Sequence, residues 1–99
     1  MSFVYRVRCT FSDPEVAERW LAWLHEGHLA DVVAAGASSA EVFRIDAEEV
    51  VLEAVYGFSS RAAFERYEAQ HAPRLRAEGL ALFPLSLGLR YERTTGERA

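Results

Sequence analysis

Two histidines, His25 and His28 of the stretch "HEGH", are the first residues in this chain whose type and spacing could do chemistry. On a helix, side chains three apart share a face. Imidazoles so placed can bind a metal ion, exchange protons with a bound molecule, or donate to the open carbonyls of a helix end. The zincin pattern sets its histidines four apart with a third ligand elsewhere, and "HEGH" does not meet it. No metal site is expected, and no cofactor: there is no glycine-rich phosphate loop, nucleophile elbow or cluster of carboxylate ligands. His28 follows Trp20 and Leu24 at four-residue steps and so faces inward, whereas His25 lies at the edge of that stripe. For His28 and for His71, the preferred reading is a polar ring at a helix end. The alternative is a general acid or base.

Around these histidines stands an aromatic group. Trp20, Trp23, Leu24 and Phe64 are candidates to line a ligand pocket, with Tyr56 and Tyr67 as polar aromatics on its walls. An aromatic stripe at helical spacing is ordinarily core. A buried tyrosine or histidine, however, needs a polar partner, and a narrow cleft could supply one through a bound ligand. The candidate catalytic residues are therefore His28, Tyr56, Tyr67 and His71.

The elements that must hold these residues follow from periodicity. "FVYRVRCTF" alternates, with Phe3, Tyr5, Val7, Cys9 and Phe11 on one face and Val4, Arg6, Arg8 and Thr10 on the other. "SDPE" opens a helix, capped by Asp13 ahead of Pro14 or by a Ser12–Glu15 capping box. Gly27 is expected to weaken this helix, a short helical stretch to run through Leu29–Val33, and Gly36 to end it. "AEVFRI" and "VVLEAVYGF" read as a hairpin. A helix from "SSRAAF" breaks at Pro73, "RLRAEG" adds a short turn closing at Gly79, and "LSLGLRYER" is the last strand. The order is β-α-β-β-α-β, an α+β ferredoxin-like fold: a four-stranded antiparallel sheet with helices on one face. One domain is expected over residues 1–93, with 94–99 as a flexible C-terminal tail.

A faint internal repeat at a shift of about 43 residues pairs Leu21 with Phe64, Leu24 with Tyr67, His28 with His71, and Gly36 with Gly79. In a sheet ordered 4-1-3-2 the two helices run antiparallel. Their ends then lie apart, and His28 and His71 are not expected to meet on one ion.

Composition narrows the function classes. At 99 residues and 51% hydrophobic content the chain is a folded domain, and its net charge of -4 repels nucleic acid and anionic membranes. All eleven basic residues are arginine, and the lone Cys9 forms no internal disulfide. No apolar run reaches membrane length and the N-terminal stretch carries arginines, so a cytoplasmic location is expected. By alternation, the sheet face away from the helices carries Arg6, Arg8, Arg44, Glu53, Arg90 and Glu92 among small β-branched residues such as Val42. That mixture suits a second copy of the same sheet, with arginines paired to carboxylates. An RNA-binding sheet would instead show aromatics there.

The chain resembles a group of short bacterial proteins of unknown function in the dimeric α/β-barrel superfamily. The resemblance spans nearly the whole length and rests on Trp20-Leu21, Trp23-Leu24, His28, "DVVAAG", "VYGF", Arg66-Tyr67, "HAPRLR" and Phe83. That family often carries proline at the place of Ala30 and histidine at the place of Gly79. The resemblance implies a homodimer of face-to-face sheets and no particular activity. Wider relatives include cofactor-independent monooxygenases and isomerases. Three functions are thus in view: a dimeric small-ligand-binding or accessory protein, a cofactor-independent monooxygenase or isomerase, or a purely structural interaction module. In the second, His28 would act as acid or base while Tyr56 or Tyr67 orients a small organic substrate.

Overall fold

A computed structural model describes residues 2–99. Strand β1 is Phe3–Phe11, β2 Ser39–Ile45, β3 Val50–Phe58 and β4 Leu89–Glu97. They form one sheet in the order β2-β3-β1-β4, with every neighbouring pair antiparallel. Helices α1 (Pro14–Trp23), α2 (Leu29–Ala34), α3 (Arg61–Gln70) and α4 (Ala72–Leu82) supply the cover. The core lies between them and the inward residues of β1 and β3. Phe3, Tyr5, Cys9 and Phe11 face the same side as Leu52, Ala54, Tyr56 and Phe58, and all are buried. No helix among the described residues is long and apolar enough to cross a membrane.

Local chemistry explains the boundaries. The Asp13 side chain accepts from the Glu15 N–H at 2.9 Å, so the cap is Asp13 rather than a Ser12 box, and Pro14 stands where no donor is required. The Ser60 hydroxyl accepts from the Ala63 N–H at 3.1 Å to start α3. Gly27 does not break the first helix. Leu24–His28 form a π turn, with the Leu29 N–H reaching back to the Leu24 carbonyl, and the chain continues without interruption into α2. Gly36 (φ 132°) ends it. The Ala37 N–H bonds the Val32 carbonyl at 3.2 Å and the Gly36 N–H bonds the Val33 carbonyl at 3.1 Å, the Schellman pair.

Several expectations are corrected. Gly79 does not close a short turn but sits buried in mid-helix, and α4 runs on to Leu82. The last strand does not begin at Leu85. Leu85–Leu87 make a 3-10 turn, Gly88 takes a left-handed conformation (φ 87°), and β4 starts at Leu89. It runs to Glu97, so Thr94–Glu97 pair with Phe3–Arg6 instead of fraying as a tail.

The most consequential correction concerns β2. Val42 lies opposite Ala54 and Arg44 opposite Leu52, which puts both on the helix side, and the Arg44 Nη2 bonds the Glu18 carboxylate of α1 at 2.7 Å. Glu41, Phe43 and Ile45 take the open face in their place. A one-residue difference in phase exchanges the two faces of a strand, and on this edge strand both sets mix apolar and charged residues. Register therefore comes from the hairpin, in which Ile45 meets Val51. Arg44 is not part of the open face.

On that open face Glu53 is 7% exposed and lies beneath two arginines. Its Oε1 accepts from the Arg6 Nη1 at 3.2 Å and its Oε2 from the Arg8 Nε at 3.0 Å. Arg8 stands directly between Glu53 on β3 and Glu92 on β4. Arg90 pairs with Glu49 at 3.1 Å. The carboxylate that alternation offers as a counter-charge across a twofold axis is thus already engaged within its own sheet.

Candidate functional site

Between the helices and the sheet lies a cleft of about 50 Å³ that gathers every tyrosine and every tryptophan of the chain. Strand alternation supplies its floor: Tyr5 and Val7 from β1, Ala54 and Tyr56 from β3, Tyr91 and Arg93 from β4. Ala54 faces Val7 across the ladder, and its small side chain keeps the floor from closing. Helical spacing supplies the roof, with Trp20 and Trp23 from α1, His28 from the π turn, Tyr67 from α3, and Leu75, Arg76 and Gly79 from α4.

The polar groups are held by specific bonds. The Trp20 Nε1–H donates to the Tyr91 hydroxyl at 3.2 Å. The Arg76 Nη2 donates to the Tyr5 hydroxyl at 3.1 Å and to the Glu68 carboxylate at 2.8 Å, which ties α4 to β1 and α3. The His28 ring stacks on the Trp23 indole, centroids 4.1 Å apart and planes 22° apart. Trp23 in turn lies over Gly79, where an added Cβ would come within 3.1 Å of the indole Cη2. A larger side chain there, such as the histidine of the resembled family, requires Trp23 to move.

Electrostatics fix the protonation states. Burial holds the His28 pKa below its ordinary 6.5, with Asp31 opposing weakly, so the ring is neutral at neutral pH. Its Nδ1 and the Arg76 Nε are both shut from solvent without a hydrogen-bond partner among the described residues. Burial pushes the Tyr67 and Tyr91 hydroxyls up to about 12, and Tyr56 also upward. These three hydroxyls are therefore neutral, and none of them is a base at neutral pH. The site offers hydroxyls, one neutral imidazole and two guanidinium groups within an aromatic wall. Such a surface can bind and orient a small organic molecule, and the imidazole can accept a proton.

Of the residues singled out from sequence, Trp20, Trp23, Leu24, His28, Tyr56 and Tyr67 come together here. Phe64 does not. It is core, stacked on Phe3 at 4.9 Å and edge-on to Phe58 at 5.3 Å. His71 lies in a separate shallow groove with Asp31, Arg74 and Glu78, and its Nδ1 has no partner among the described residues. Sequence reasoning missed Tyr5, Tyr91, Arg76 and Arg93. Three of these four lie on inward strand positions, a signal that alternation carries. Among the described residues, no three of His, Cys, Asp and Glu come together to hold a metal ion.

Sheet order and one-sided helices define a ferredoxin-like α+β protein. Residues 2–87 match the model of a domain of unknown function (DUF4286), and the chain belongs to that family. Among solved structures, a dimeric ferredoxin-like protein from an uncultured marine organism superposes with a TM-score of 0.77 at 12% identity, over 100% of this chain and 95% of its own. A second dimeric ferredoxin-like protein of uncultured marine origin gives 0.74 at 14%, over 99% and 95%. A monooxygenase from the gene ActVA-Orf6 of Streptomyces coelicolor, in complex with nanaomycin D, gives 0.68 at 17%, over 99% and 89%. At these identities the likeness is one of fold. No curated protein matches the sequence.

Proposed function

We propose that this protein is a homodimer that binds a small organic molecule in the tyrosine-lined cleft. The observation that carries this reading is the convergence of both tryptophans and all four tyrosines on one cleft, together with a neutral histidine and an arginine. A core built only for stability would fill that space with aliphatic side chains and leave no polar atoms unpaired. The homodimer is supported by the dimeric marine neighbours and by the uncovered sheet face, where Phe43 is 46% exposed beside Val55 and the Arg6–Glu53–Arg8 cluster. Because both tryptophans line the cleft, intrinsic fluorescence reports occupancy directly. Titration with a panel of organic acids, phenols and quinones, each able to place its oxygen-bearing end in the cleft with the rest outside, is expected to change tryptophan emission saturably, and Tyr56→Phe and His28→Gln to weaken the response. A panel that leaves emission unchanged up to millimolar concentration overturns the ligand-binding reading. Light scattering that gives a monomer at micromolar concentration overturns the dimer.

A second reading, a cofactor-independent monooxygenase or isomerase, is favoured by one observation. His28 is a neutral ring on the cleft wall, poised as a base. Turnover of a cleft-binding compound that is lost in His28→Gln while binding persists would establish it. Binding without turnover leaves the accessory role.

A further inference from the structure

The cleft does not end at its own walls. Arg76, Leu80, Tyr91 and Arg93 line it and also line a second, open groove of about 400 Å³, so the two spaces share one boundary. The groove follows the edge of β4 and adds Leu85, Leu89 and Arg90. Its apolar part is unusually bare for a small domain: Leu80 is 46% and Leu85 58% exposed. Its charged part is one-sided. Three arginines line it and no carboxylate does.

Those arginines differ in what they already hold. Arg76 is bound to Glu68 and to the Tyr5 hydroxyl, and Arg90 to Glu49. Arg93 has no carboxylate within salt-bridge distance among the described residues. Its guanidinium lies over the Tyr91 ring, 4.8 Å from the centroid, which keeps it at the shared boundary. A guanidinium held over an aromatic face by its cation–π attraction still has N–H donors to offer, and those donors match an oxyanion. A cleft of about 50 Å³ admits a head group of a few atoms and not a large body. The body must then lie outside, where the leucines are.

We infer that the ligand is an amphipathic organic anion: an oxyanion head read by Arg93 at the cleft mouth, and an apolar body laid along Leu80, Leu85 and Leu89. This rests on the reading of the cleft as a ligand site and adds the ligand's class and the residue that selects it. Charge complementarity and continuity with the cleft favour this occupant over a protein partner.

Three probes with the same tail separate the possibilities: octanoate, octanol and octylammonium, followed by tryptophan fluorescence and calorimetry. Octanoate is expected to bind at least tenfold more tightly than octanol, and octylammonium most weakly. Arg93→Gln should bring octanoate down to the level of octanol without changing octanol itself, and Arg93→Lys should restore part of the difference. Leu85→Ser should weaken octanoate and octanol alike. Equal affinity for the three probes, or octanoate affinity unchanged in Arg93→Gln, overturns the anion assignment while leaving the cleft as a binding site. Silence of all three probes, where phenols still quench the tryptophans, overturns the leucine groove as the tail site. Silence of every compound removes both readings. Loss of self-association in Leu85→Ser would assign the patch to a second copy and overturn the inference.

Discussion

The imidazole of His28 lies nearly flat on the indole of Trp23, with centroids 4.1 Å apart. The contact removes one face of the histidine from water and is part of why burial holds its pKa below 6.5. With a lower pKa in the folded state, the unfolded chain binds more protons as pH falls below 6.5, so stability is full above that value and declines beneath it. Thermal melts between about pH 7.5 and about pH 5 should therefore fall more steeply for the parent than for His28→Gln. Parallel slopes would show that His28 is not the group titrating.

Alkaline pH tests the tyrosines. Tyr67 and Tyr91 are pushed up to about 12 from an ordinary 10.0, chiefly by burial. Their contribution to stability is complete below pH 10.0 and lost as pH rises through about 12. Spectrophotometric titration should show these phenols ionising together with unfolding rather than before it. Ionisation of Tyr67 and Tyr91 near 10 in the folded protein would contradict an enclosed cleft.

Glu53 is the hub of the open face. Glu53→Gln keeps its shape but leaves Arg6 and Arg8 without their counter-charge, and should cost about 1–2 kcal/mol in urea unfolding because the arginines remain partly solvated. Arg8→Glu should also weaken self-association. Arg44→Ala, whose side chain turns toward α1, should leave self-association unaltered. Equal effects of Arg8→Glu and Arg44→Ala on dimer affinity would refute the assignment of the two faces.

Gly79 tests the roof of the cleft. Alanine gains about 1 kcal/mol of helix propensity, and the indole need yield only a few tenths of an ångström, so Gly79→Ala should be close to neutral. Gly79→Leu should cost about 1–3 kcal/mol by overpacking and shift tryptophan emission as Trp23 is displaced. Wild-type emission and stability in the leucine variant would show that Trp23 does not rest there.

The fold was legible because its strongest signals are long. The alternation of β1, the Asp13-Pro14 start of α1 and the helix opening at "SSRAAF" each survive into the structure. The site was half legible. Trp20, Leu24 and His28 share a helical face, and that periodicity aimed them at the cleft. Tyr5, Tyr91 and Arg93 were harder because an inward strand residue reads as core until the opposite wall is known. Arg76 was harder still, because an arginine on a short helix reads as a solvated charge until Tyr5 and Glu68 are seen to hold its guanidinium at the cleft. Arg44 was misplaced for a different reason. An edge strand paired on one side has its phase set by its hairpin, and "AEVFRI" offers two sets of alternate residues that each contain an apolar and a charged member.

The π turn at Leu24–His28 has a consequence for how this helix tolerates change. One extra residue in a turn retards the winding of everything after it by about 100°, the angle that one residue occupies in an α-helix. Val32, fully buried, reaches the core only with that delay in place. Were the turn to relax to a regular α-helix with its length unchanged, α2 would rotate by about that angle, turning Val32 toward solvent and bringing a neighbour such as the exposed Val33 round in its stead; removing Gly27 takes away the extra residue and the delay together and leaves Val32 facing the core. The turn thus acts as a phase shifter between two halves of one helix. The lengths of the two halves are locked to each other through that turn, which can absorb the loss of one residue by closing to a regular helix but has no such answer to an insertion.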